Sequence, residues 1–287
     1  MAKRAGRCQP APWSLCARHT ARPTYGHPME STESESKDRL FVTALARGLA
    51  VLAAFRGGEP QLSNQDLASR TGLPKSTVSR LTYTLTQLGY LDQDPASGRY
   101  QLGLAVLELS AATLASFDAR RVIAPKMQQF AEAHGVSVSL AVREGLDMMY
   151  LETVRSRARV TVQLSVGSRV PLATTAIGRA YLAAMPAAER NTLMPALAVQ
   201  YGADWPQIAA SLDAALADYQ QRGYCSSFGE FQPEVFAVAA PVPPLAPGQP
   251  WMSLNASGPA FLFTESAMRE RIAPPLLVLV RELGARQ

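Results

Sequence analysis

Short hydroxyl side chains and two cations dominate one stretch of the chain, TGLPKSTVSRLTYTLTQLGYL at residues 71–91. Its apolar residues Val78, Leu81, Leu85 and Leu88 recur at steps of three and four, which predicts a helix with one narrow apolar stripe. The other positions carry no acid and include several Thr residues, although Thr is a mediocre helix former. A helix that lies in the major groove of DNA needs this chemistry, because hydroxyls donate to phosphates or base edges and cations attract phosphates.

The candidates for DNA contact lie at the N-terminal end of this helix and along its polar face. In helix-turn-helix proteins that end contacts bases, and the positive end of the helix dipole also favours phosphate. We place Thr82 on the polar face as well, and we expect Arg99, in a turn that follows, to meet the DNA backbone or minor groove. The expected contacts within the helix are Lys75, Ser76, Thr77, Ser79, Arg80 and Tyr83.

The neighbouring segments predict a helix-turn-helix with a β-wing. Ser63 and Asp66 form a capping box that opens a short helix, and Gly72 ends that helix with a tight turn. A longer helix that begins at Arg39 precedes them. Two short strands around a Pro/Gly turn follow within residues 90–102. Because helical hairpins with a Gly turn also occur as plain packing motifs, this order alone leaves both interpretations open.

The charge of the whole chain is a poor guide to its partners. The 287 residues carry a net charge of +5, and the cations of residues 1–28 account for this excess. Residues 37–102 hold a modest positive excess, whereas residues 103–287 are neutral. The local sign therefore supports a nucleic-acid contact only in the segment that contains the predicted helix-turn-helix.

The residue composition argues against several other classes of protein. The three cysteines, Cys8, Cys16 and Cys225, form neither a disulfide framework nor a metal-ligand spacing. His134 is the one histidine outside the N-terminal tail, so we expect no catalytic triad, metal or cofactor. No apolar run is long enough to span a bilayer, and the N-terminus lacks a secretory signal. We therefore expect a cytoplasmic protein, associated with the nucleoid when it is bound to DNA.

The chain resembles the IclR family of bacterial transcriptional regulators. Three segments are similar to the winged-helix domain of that family: ALARGLAVLAAF, LSNQDLASRTGLPKSTVSRLTYTLTQLGYL and SGRYQLG. The similarity continues, in order, at GSRVPLATTAIGRAYLA (167–183), RGY (222–224), FAVAAPV (236–242) and SLNASGP (253–259). It covers nearly the whole chain after the N-terminal tail.

The resemblance implies an α+β architecture with two functional domains and a dimer or dimer of dimers. The C-terminal domain is expected to be GAF-like, with an antiparallel sheet, and to bind a small effector. The expected divisions are a disordered tail at 1–36, the winged helix-turn-helix domain at 37–102, a linker helix at 103–117 and the effector-binding domain at 118–287. Whether translation starts at Met1 or Met29 stays open.

The resemblance also implies where an effector would sit. In the family, backbone donors come from the loop and helix start that here hold Ala176 and Ile177. Without the resemblance, the same TTAIG segment indicates simple helix capping by threonine. A helix N-terminus suits a small anion because its first N–H groups have no partner in the helix.

Four further effector positions carry over from members that bind small keto acids. The acidic residue that contacts the effector in those members corresponds to Ser227 here, and their cysteine corresponds to Ala237. Their two serines correspond to Asn255 and Ser257, and Ser257 alone is retained. These changes make the pocket less polar and roomier. We therefore expect an effector with an apolar body, such as an aromatic or longer organic acid, rather than glyoxylate or pyruvate. Glu230 is either a buried structural carboxylate or a ligand contact.

The sequence thus predicts a ligand-responsive transcriptional regulator that binds double-stranded operator DNA as a dimer or tetramer and senses a small organic acid. Two other classes compete with it: an enzyme with an accessory helix-turn-helix, and an architectural DNA-binding protein. The first would need a titratable cluster in the C-terminal half, and none is evident. The long C-terminal half with pocket-forming loops argues against the second. Repression and activation are equally compatible with the sequence.

Overall fold

The computed structural model describes residues 41–55, 59–115, 119–155, 164–245 and 248–284. The tail predicted at residues 1–36 lies outside these ranges. So do residues 116–118, where the linker helix is predicted to end.

The N-terminal helices follow the predicted order. The capping box is present: the Ser63 hydroxyl accepts from the Asp66 amide at 3.1 Å, and the Asp66 carboxylate accepts from the Ser63 amide at 2.9 Å. Gly72 has φ 70°, a left-handed conformation that glycine adopts without strain, and it ends the second helix. The three helices are α1 (Thr43–Ala53), α2 (Asn64–Thr71) and α3 (Lys75–Gln87).

The apolar stripe predicted for α3 is partly wrong. Val78 is buried and Leu81 and Leu85 are half-buried, but Leu88 is 60% exposed because α3 ends at Gln87. Thr82, placed on the polar face from the sequence, is fully buried. It lies four residues after Val78 and three before Leu85, and therefore on the core side of the helix. Its hydroxyl donates to the Ser79 carbonyl at 3.1 Å, which satisfies the buried donor.

The predicted wing is confirmed as an antiparallel pair, β1 (Leu91–Gln93) and β2 (Tyr100–Leu102). Leu62, which precedes α2, bridges to Tyr100 through two backbone hydrogen bonds of 2.9 and 2.8 Å. The wing is therefore tied to the helix-turn-helix. Helix α4 (Leu104–Ala115) follows, and none of its residues is buried in the described chain.

The remaining residues form helices around one sheet, as predicted for an α+β fold. Its described strands are all antiparallel, in the order β5-β4-β3-β8-β7-β6. The strands are β3 (Ser137–Glu144), β4 (Asp147–Val154), β5 (Arg169–Pro171), β6 (Cys225–Phe228), β7 (Val235–Val242) and β8 (Met252–Pro259). The helices are α5 (Ala119–His134), α6 (Ala176–Ala184), α7 (Ala187–Tyr201), α8 (Trp205–Arg222), α9 (Glu265–Ala267) and α10 (Ala273–Gly284).

The C-terminal helical segment of the described chain is not one continuous α-helix. A π-helical turn occupies Met268–Ile272 between α9 and α10. Pro274 and Pro275 follow after Ala273 and lack N–H groups, so they cannot donate to the carbonyls of the preceding turn. The short strands β5 and β6 are not predicted from the sequence at all.

The two faces of the sheet have different chemistry because strand side chains alternate between them. One face packs against α5 and α10 and is apolar, with Val138, Leu140 and Leu254 fully buried. The opposite face lies under α6 and carries small or polar side chains at its centre. These residues are Ser139, Ala141, Ala237, Ala239, Ser253, Asn255 and Ser257. This second face offers hydrogen-bonding groups where the first offers only core packing.

Candidate DNA-binding surface and effector site

The residues predicted to contact DNA lie on the accessible side of α3. Lys75, Ser76, Arg80 and Tyr83 are exposed, and Thr77 is half-buried. No acidic side chain of the described residues pairs with Lys75 or Arg80. Both cations are therefore free to approach phosphate.

The hydroxyls of α3 do not all serve the predicted purpose. Ser79 donates to the Lys75 carbonyl at 3.0 Å and accepts from the Asn64 side chain at 2.9 Å. Thr84 likewise donates to the Arg80 carbonyl at 3.1 Å. The two bonds to carbonyls one turn earlier occupy these hydroxyls within α3. The bond from Asn64 joins α3 to α2. Ser76 and Thr77 are the hydroxyl residues nearest the N-terminus of the helix, where contact with DNA is predicted.

Arg99 lies against the protein. Its guanidinium donates to the Asp66 carboxylate at 3.1 Å and to the Gln61 carbonyl at 3.1 Å. Hydrogen bonds from Ser63 hold the pKa of Asp66 below its usual value, and Arg99 lowers it further. Arg99 thus fastens the wing to the start of α2, a role that the sequence pattern does not indicate.

The N-terminus of α6 presents two backbone donors inside the domain. Thr175 caps the helix: its hydroxyl accepts from the Gly178 amide at 3.2 Å and donates to the Pro171 carbonyl at 2.6 Å. None of the described residues accepts a hydrogen bond from the amides of Ala176 and Ile177, and both residues are buried. Two adjacent buried N–H groups at a positive helix end can donate to one end of an anion.

A buried arginine fixes this helix to its surroundings. Arg179 is 2% exposed, and it is the one charged residue of helix α6, whose sequence is AIGRAYLAA. The guanidinium donates to Ala173 O (2.9 Å), Ser226 O (3.0 Å), Glu230 Oε1 (2.8 Å) and Ser211 Oγ (2.9 Å). It therefore connects α6 with its preceding loop, α8 and β6. The sequence analysis does not identify Arg179. The one feature of the sequence that could have indicated it is a charged side chain among apolar positions of a helix.

Glu230 completes the arginine network. Its second carboxylate oxygen accepts from the Ser227 hydroxyl at 2.9 Å and from the Phe228 amide. Burial alone would raise the pKa of Glu230, but the hydrogen bond and charge of Arg179 and the bond from Ser227 lower it overall. Of the two interpretations open from the sequence, this geometry favours a structural carboxylate.

Ser227 has two acceptors for a single proton. Besides Glu230, the Thr174 carbonyl lies 2.9 Å from its hydroxyl oxygen. The side chain is thus already engaged within the protein beside the α6 N-terminus. In the sheet, Ser227 is opposite Ala237, and Ala237 is opposite Ser257. The fold therefore brings these predicted effector positions into one row across β6, β7 and β8.

Asn255 lies two residues before Ser257 on the same face. Its side-chain oxygen Oδ1 is buried without a hydrogen-bond partner among the described residues, and so is the hydroxyl of Ser253. Native proteins contain few such groups, and each calls for an explanation. Two buried, unpaired polar atoms beneath α6 fit a site that a polar ligand completes.

Two tyrosines that the sequence analysis missed flank this region. Burial raises the pKa of Tyr150 to about 12, and hydrogen bonding with Asn255 and Ser139 offsets part of the rise. Tyr201 stacks on Trp205 with ring centroids 6.2 Å apart. Burial raises the pKa of Tyr201 too, and its hydroxyl is unpaired within the part of the chain that the structure describes. Both hydroxyls therefore stay protonated at neutral pH, and the hydroxyl of Tyr201 can donate a hydrogen bond.

Neither a metal site nor a membrane-spanning helix occurs in the described ranges. No group of three or more His, Cys, Asp or Glu side chains there could hold a metal ion. No described helix is long and apolar enough to cross a membrane.

Comparisons with known proteins agree with this architecture. Residues 44–95 match the IclR helix-turn-helix domain, and residues 111–283 match the C-terminal domain described as bacterial transcriptional regulator IclR C-terminal. The chain is 33% identical over 246 residues to the HTH-type transcriptional regulator TsaQ1/TsaQ2 of Comamonas testosteroni, covering 85% of this chain and 88% of that protein.

Solved structures show the same fold. An IclR family transcriptional regulator from Brucella abortus is 40% identical, with a TM-score of 0.75, and the alignment covers 90% of this chain and 97% of that one. An IclR homologue from Microbacterium hydrocarbonoxydans, solved in complex with 4-hydroxybenzoate, has a TM-score of 0.67 at 22% identity, covering 85% and 96%. The relatives are transcriptional regulators and not enzymes. The chain therefore belongs to the IclR family of transcriptional regulators, with an N-terminal helix-turn-helix DNA-binding domain and a C-terminal ligand-binding domain.

Proposed function

We propose that this regulator binds operator DNA as a homodimer or dimer of dimers, and that a small organic acid with an apolar body changes its operator affinity. The observation that carries the proposal is the pair of buried amides of Ala176 and Ile177, from which no described residue accepts a hydrogen bond. The working divisions are a tail (1–36), the DNA-binding domain (37–102), the linker helix (103–117) and the effector domain (118–287). The protein acts in the cytoplasm, on the nucleoid when it is bound to DNA.

The exposed face of α3 enters the major groove. Lys75 and Arg80 contact phosphates, and Ser76, Thr77 and Tyr83 approach the base edges. Ser79 contributes through the lone pair that Asn64 leaves unused, and Arg99 through the edge of its guanidinium. Two copies related by a two-fold axis would place their α3 helices about 34 Å apart, or a multiple of it, on a pseudopalindromic site.

Exposed apolar side chains support self-association. Phe41, Leu45 and Leu49 follow one another at steps of four along α1 and the residues just before it, and all three are exposed. Leu104 and Leu107 of α4 are also exposed. Proteins that function as monomers rarely expose contiguous apolar surface of this kind. A second copy of the chain is the partner that we propose for these helices.

The chemistry of the effector site supports an organic acid. The carboxylate would accept from the amides of Ala176 and Ile177, and the apolar body would lie on Ala237 and its small neighbours. Ser227 is engaged by Glu230 and Thr174 and adds no free charge for a small keto acid. The Microbacterium homologue with bound 4-hydroxybenzoate supports an aromatic acid as a member of this class.

The response to the effector follows from linkage. Helix α4 joins the two domains, so effector binding that favours one arrangement of the dimer changes the spacing of the two α3 helices. Operator affinity then changes by the same factor by which DNA changes effector affinity. Couplings of this kind are typically about 1–3 kcal/mol.

A thermal-shift panel tests the ligand class. Glyoxylate, pyruvate, longer aliphatic acids and aromatic acids are each added to the purified protein. We expect an aromatic or longer acid to raise the melting temperature and the two small keto acids to leave it unchanged, because a ligand that binds the native state stabilises it. Stabilisation by pyruvate alone, or by no acid while promoter DNA is still bound, contradicts the proposal.

A further inference from the structure

A cavity of about 390 Å³ lies on the side of the sheet away from α6. Its walls come from the C-terminal end of α5, the loop after β8, α9 and the π-helical turn Met268–Ile272. Phe130 and Ile272 belong to the core that packs against α5 and α10, whereas Ala176 and Ile177 belong to the core under α6. The cavity is therefore separate from the proposed effector site. Its lining residues are Ala133, His134, Phe263, Ala267, Arg271 and Ile272.

The π-helical turn forms one wall of this cavity. Hydrogen bonds in a π-helix join residues five apart, and such turns are frequent at functional sites. Arg271 and Ile272, which follow Ala267 by four and five residues, both border the cavity. Arg271 is exposed, whereas Ile272 is only 4% exposed. This wall therefore extends from a cation in contact with solvent to a buried apolar side chain.

A second wall of the cavity contains an imidazole. His134 is half-buried at the end of α5 and packs on Phe130, with ring centroids 4.4 Å apart. Burial lowers the pKa of His134 below its usual value, and the nearby charge of Arg271 lowers it further. Among the described residues, none hydrogen-bonds to the His134 ring and no carboxylate lies within ion-pair distance of Arg271. Both groups can therefore bind a ligand.

The acidic side chains near the cavity have other partners or are exposed. The Glu132 carboxylate accepts from the Gln128 side chain at 2.6 Å, and the Glu270 carboxylate accepts from the Ser266 hydroxyl at 3.0 Å. Glu265, in α9, is exposed. The cavity thus offers one permanent positive charge and one imidazole that can add a second.

These two groups fit a doubly charged anion better than a singly charged one. A carboxylate is matched by the guanidinium alone and leaves the imidazole without a partner. A phosphate monoester carries nearly two negative charges at neutral pH, because its second pKa is about 6. The partial negative charge at the C-terminal end of α5 disfavours an anion but favours a protonated imidazole. A dianion that protonates His134 as it binds is therefore matched by two positive charges.

The apolar lining indicates the rest of the ligand. Phe263 and Ile272 supply apolar surface, while Ala133 and Ala267 are small and leave space between them. A volume of about 390 Å³ lies within the range of small-molecule sites, about 300–1,000 Å³. Inorganic phosphate alone would leave the apolar walls in contact with water. The cavity therefore fits a phosphate that carries a small apolar group.

We propose that this cavity is a second ligand site of the effector domain and binds a phosphate monoester with a small apolar body. The phosphate accepts from Arg271 and His134, and the apolar body lies on Phe263 and Ile272. The inference goes beyond the proposed function and does not depend on it, because no residue of this cavity belongs to the site at the α6 N-terminus.

NMR of the histidine side chains in the full chain, with phenyl phosphate as the probe, tests the inference. The chain has three histidines, and His134→Gln identifies the His134 signal. We expect phenyl phosphate to shift this signal to saturation and to raise the pKa of His134, because a bound dianion stabilises the imidazolium. Inorganic phosphate should bind at least about tenfold more weakly, because it buries no apolar surface.

Two variants test the two halves of the site separately. Arg271→Gln removes the charge at an exposed position, and Ala267→Leu fills the cavity while both polar groups remain. Each should weaken phenyl phosphate binding at least about tenfold, read from the His134 signal. Arg281→Gln, which removes an exposed cation of α10 outside the cavity, is the matched control and should leave the affinity unchanged.

Three results would overturn the inference. The first is a His134 signal or pKa that phenyl phosphate does not change. The second is inorganic phosphate binding as tightly as phenyl phosphate, since the apolar walls would then contribute nothing. The third is an unchanged affinity in Arg271→Gln or in Ala267→Leu. Each of these results leaves the organic-acid effector at α6 intact, because the acid panel measures that site independently.

Discussion

The guanidinium of Arg179 lies 2.8 Å from the carboxylate of Glu230, and this ion pair ties the effector helix α6 to the loop after β6. The cation is almost completely buried, whereas the Glu230 side chain is 36% exposed. Because the same carboxylate accepts from Ser227, the pair also fixes the loop that borders the amides of Ala176 and Ile177. The N-terminus of α6 is therefore held in place by charge as well as by packing.

Glu230→Gln should destabilise the effector domain at neutral pH. Hydrogen bonds to charged groups contribute about 1.5–3 kcal/mol, and solvent screening of the partly exposed carboxylate reduces the expected loss to about 1–2 kcal/mol. Denaturant unfolding of both proteins measures the difference in free energy of unfolding. Glu234→Gln, at an exposed position of the same loop, is the control and should unfold like the unmodified protein.

The pH dependence of that difference has a defined sign. The folded-state pKa of Glu230 is lowered from 4.5, so its stabilisation is present above pH 4.5 and is lost as the pH falls through the folded-state value. The two proteins should therefore differ at pH 7 and converge in acid. A difference that is constant from neutral to acid pH would show that the charge of Glu230 is not the cause.

Ala176→Pro should weaken effector binding without unfolding α6. Proline is tolerated at the first position of a helix, and Thr175, with ψ 148°, already has the extended backbone that precedes proline. The substitution removes one of the two free amides, so we expect about a 10- to 100-fold loss of affinity for the acid. Titration of the acid by calorimetry measures it.

Ala187→Pro, at the exposed first position of α7, provides the comparison. It should leave effector affinity unchanged. If both proline variants bind the acid as tightly as the unmodified protein, the amide of Ala176 is not part of the site.

Arg80→Ala should weaken binding to every DNA sequence. Removing one phosphate contact should also flatten the slope of log affinity against log salt by about one. Fluorescence anisotropy with promoter DNA and with an unrelated duplex at several salt concentrations measures both effects. Arg121→Ala, an exposed cation of α5, should leave the slope unchanged. An unaltered slope in Arg80→Ala would refute the phosphate contact.

Cys225 should be unreactive in the native protein. It is fully buried, and burial raises the pKa of its thiol to about 12, so little thiolate forms at pH 8. In a variant in which Cys8 and Cys16 are replaced by Ser, a thiol reagent should label the protein only after denaturation. Rapid labelling of the native variant would contradict the buried position.

The sequence predicts the features that depend on neighbouring residues. The Ser63–Asp66 capping box, the Gly72 turn and the two strands of the wing are local signals, and the structure confirms each of them. Thr82 was assigned to the wrong face because a narrow apolar stripe is compatible with more than one rotation of a helix. Its burial depends on how α3 packs against the rest of the domain.

The missing parts of the site depend on contacts between distant segments. Arg179 is explained by Glu230 and Ser211, which lie far away along the chain, and Tyr150 by its approach to Asn255. Arg99 reaches Asp66 only because the wing folds back onto α2. Periodicity does not indicate such pairs. The sequence therefore predicts a region for the effector site, but it does not predict the side chains that support this region.

The most direct test of the account is a linkage measurement on the full chain. Operator affinity is measured by anisotropy with and without a saturating acid from the panel, and acid affinity is measured by calorimetry with and without operator. We predict that both affinities change by the same factor, within about 5- to 150-fold. An operator affinity that is identical with and without a bound acid would contradict a ligand-responsive regulator.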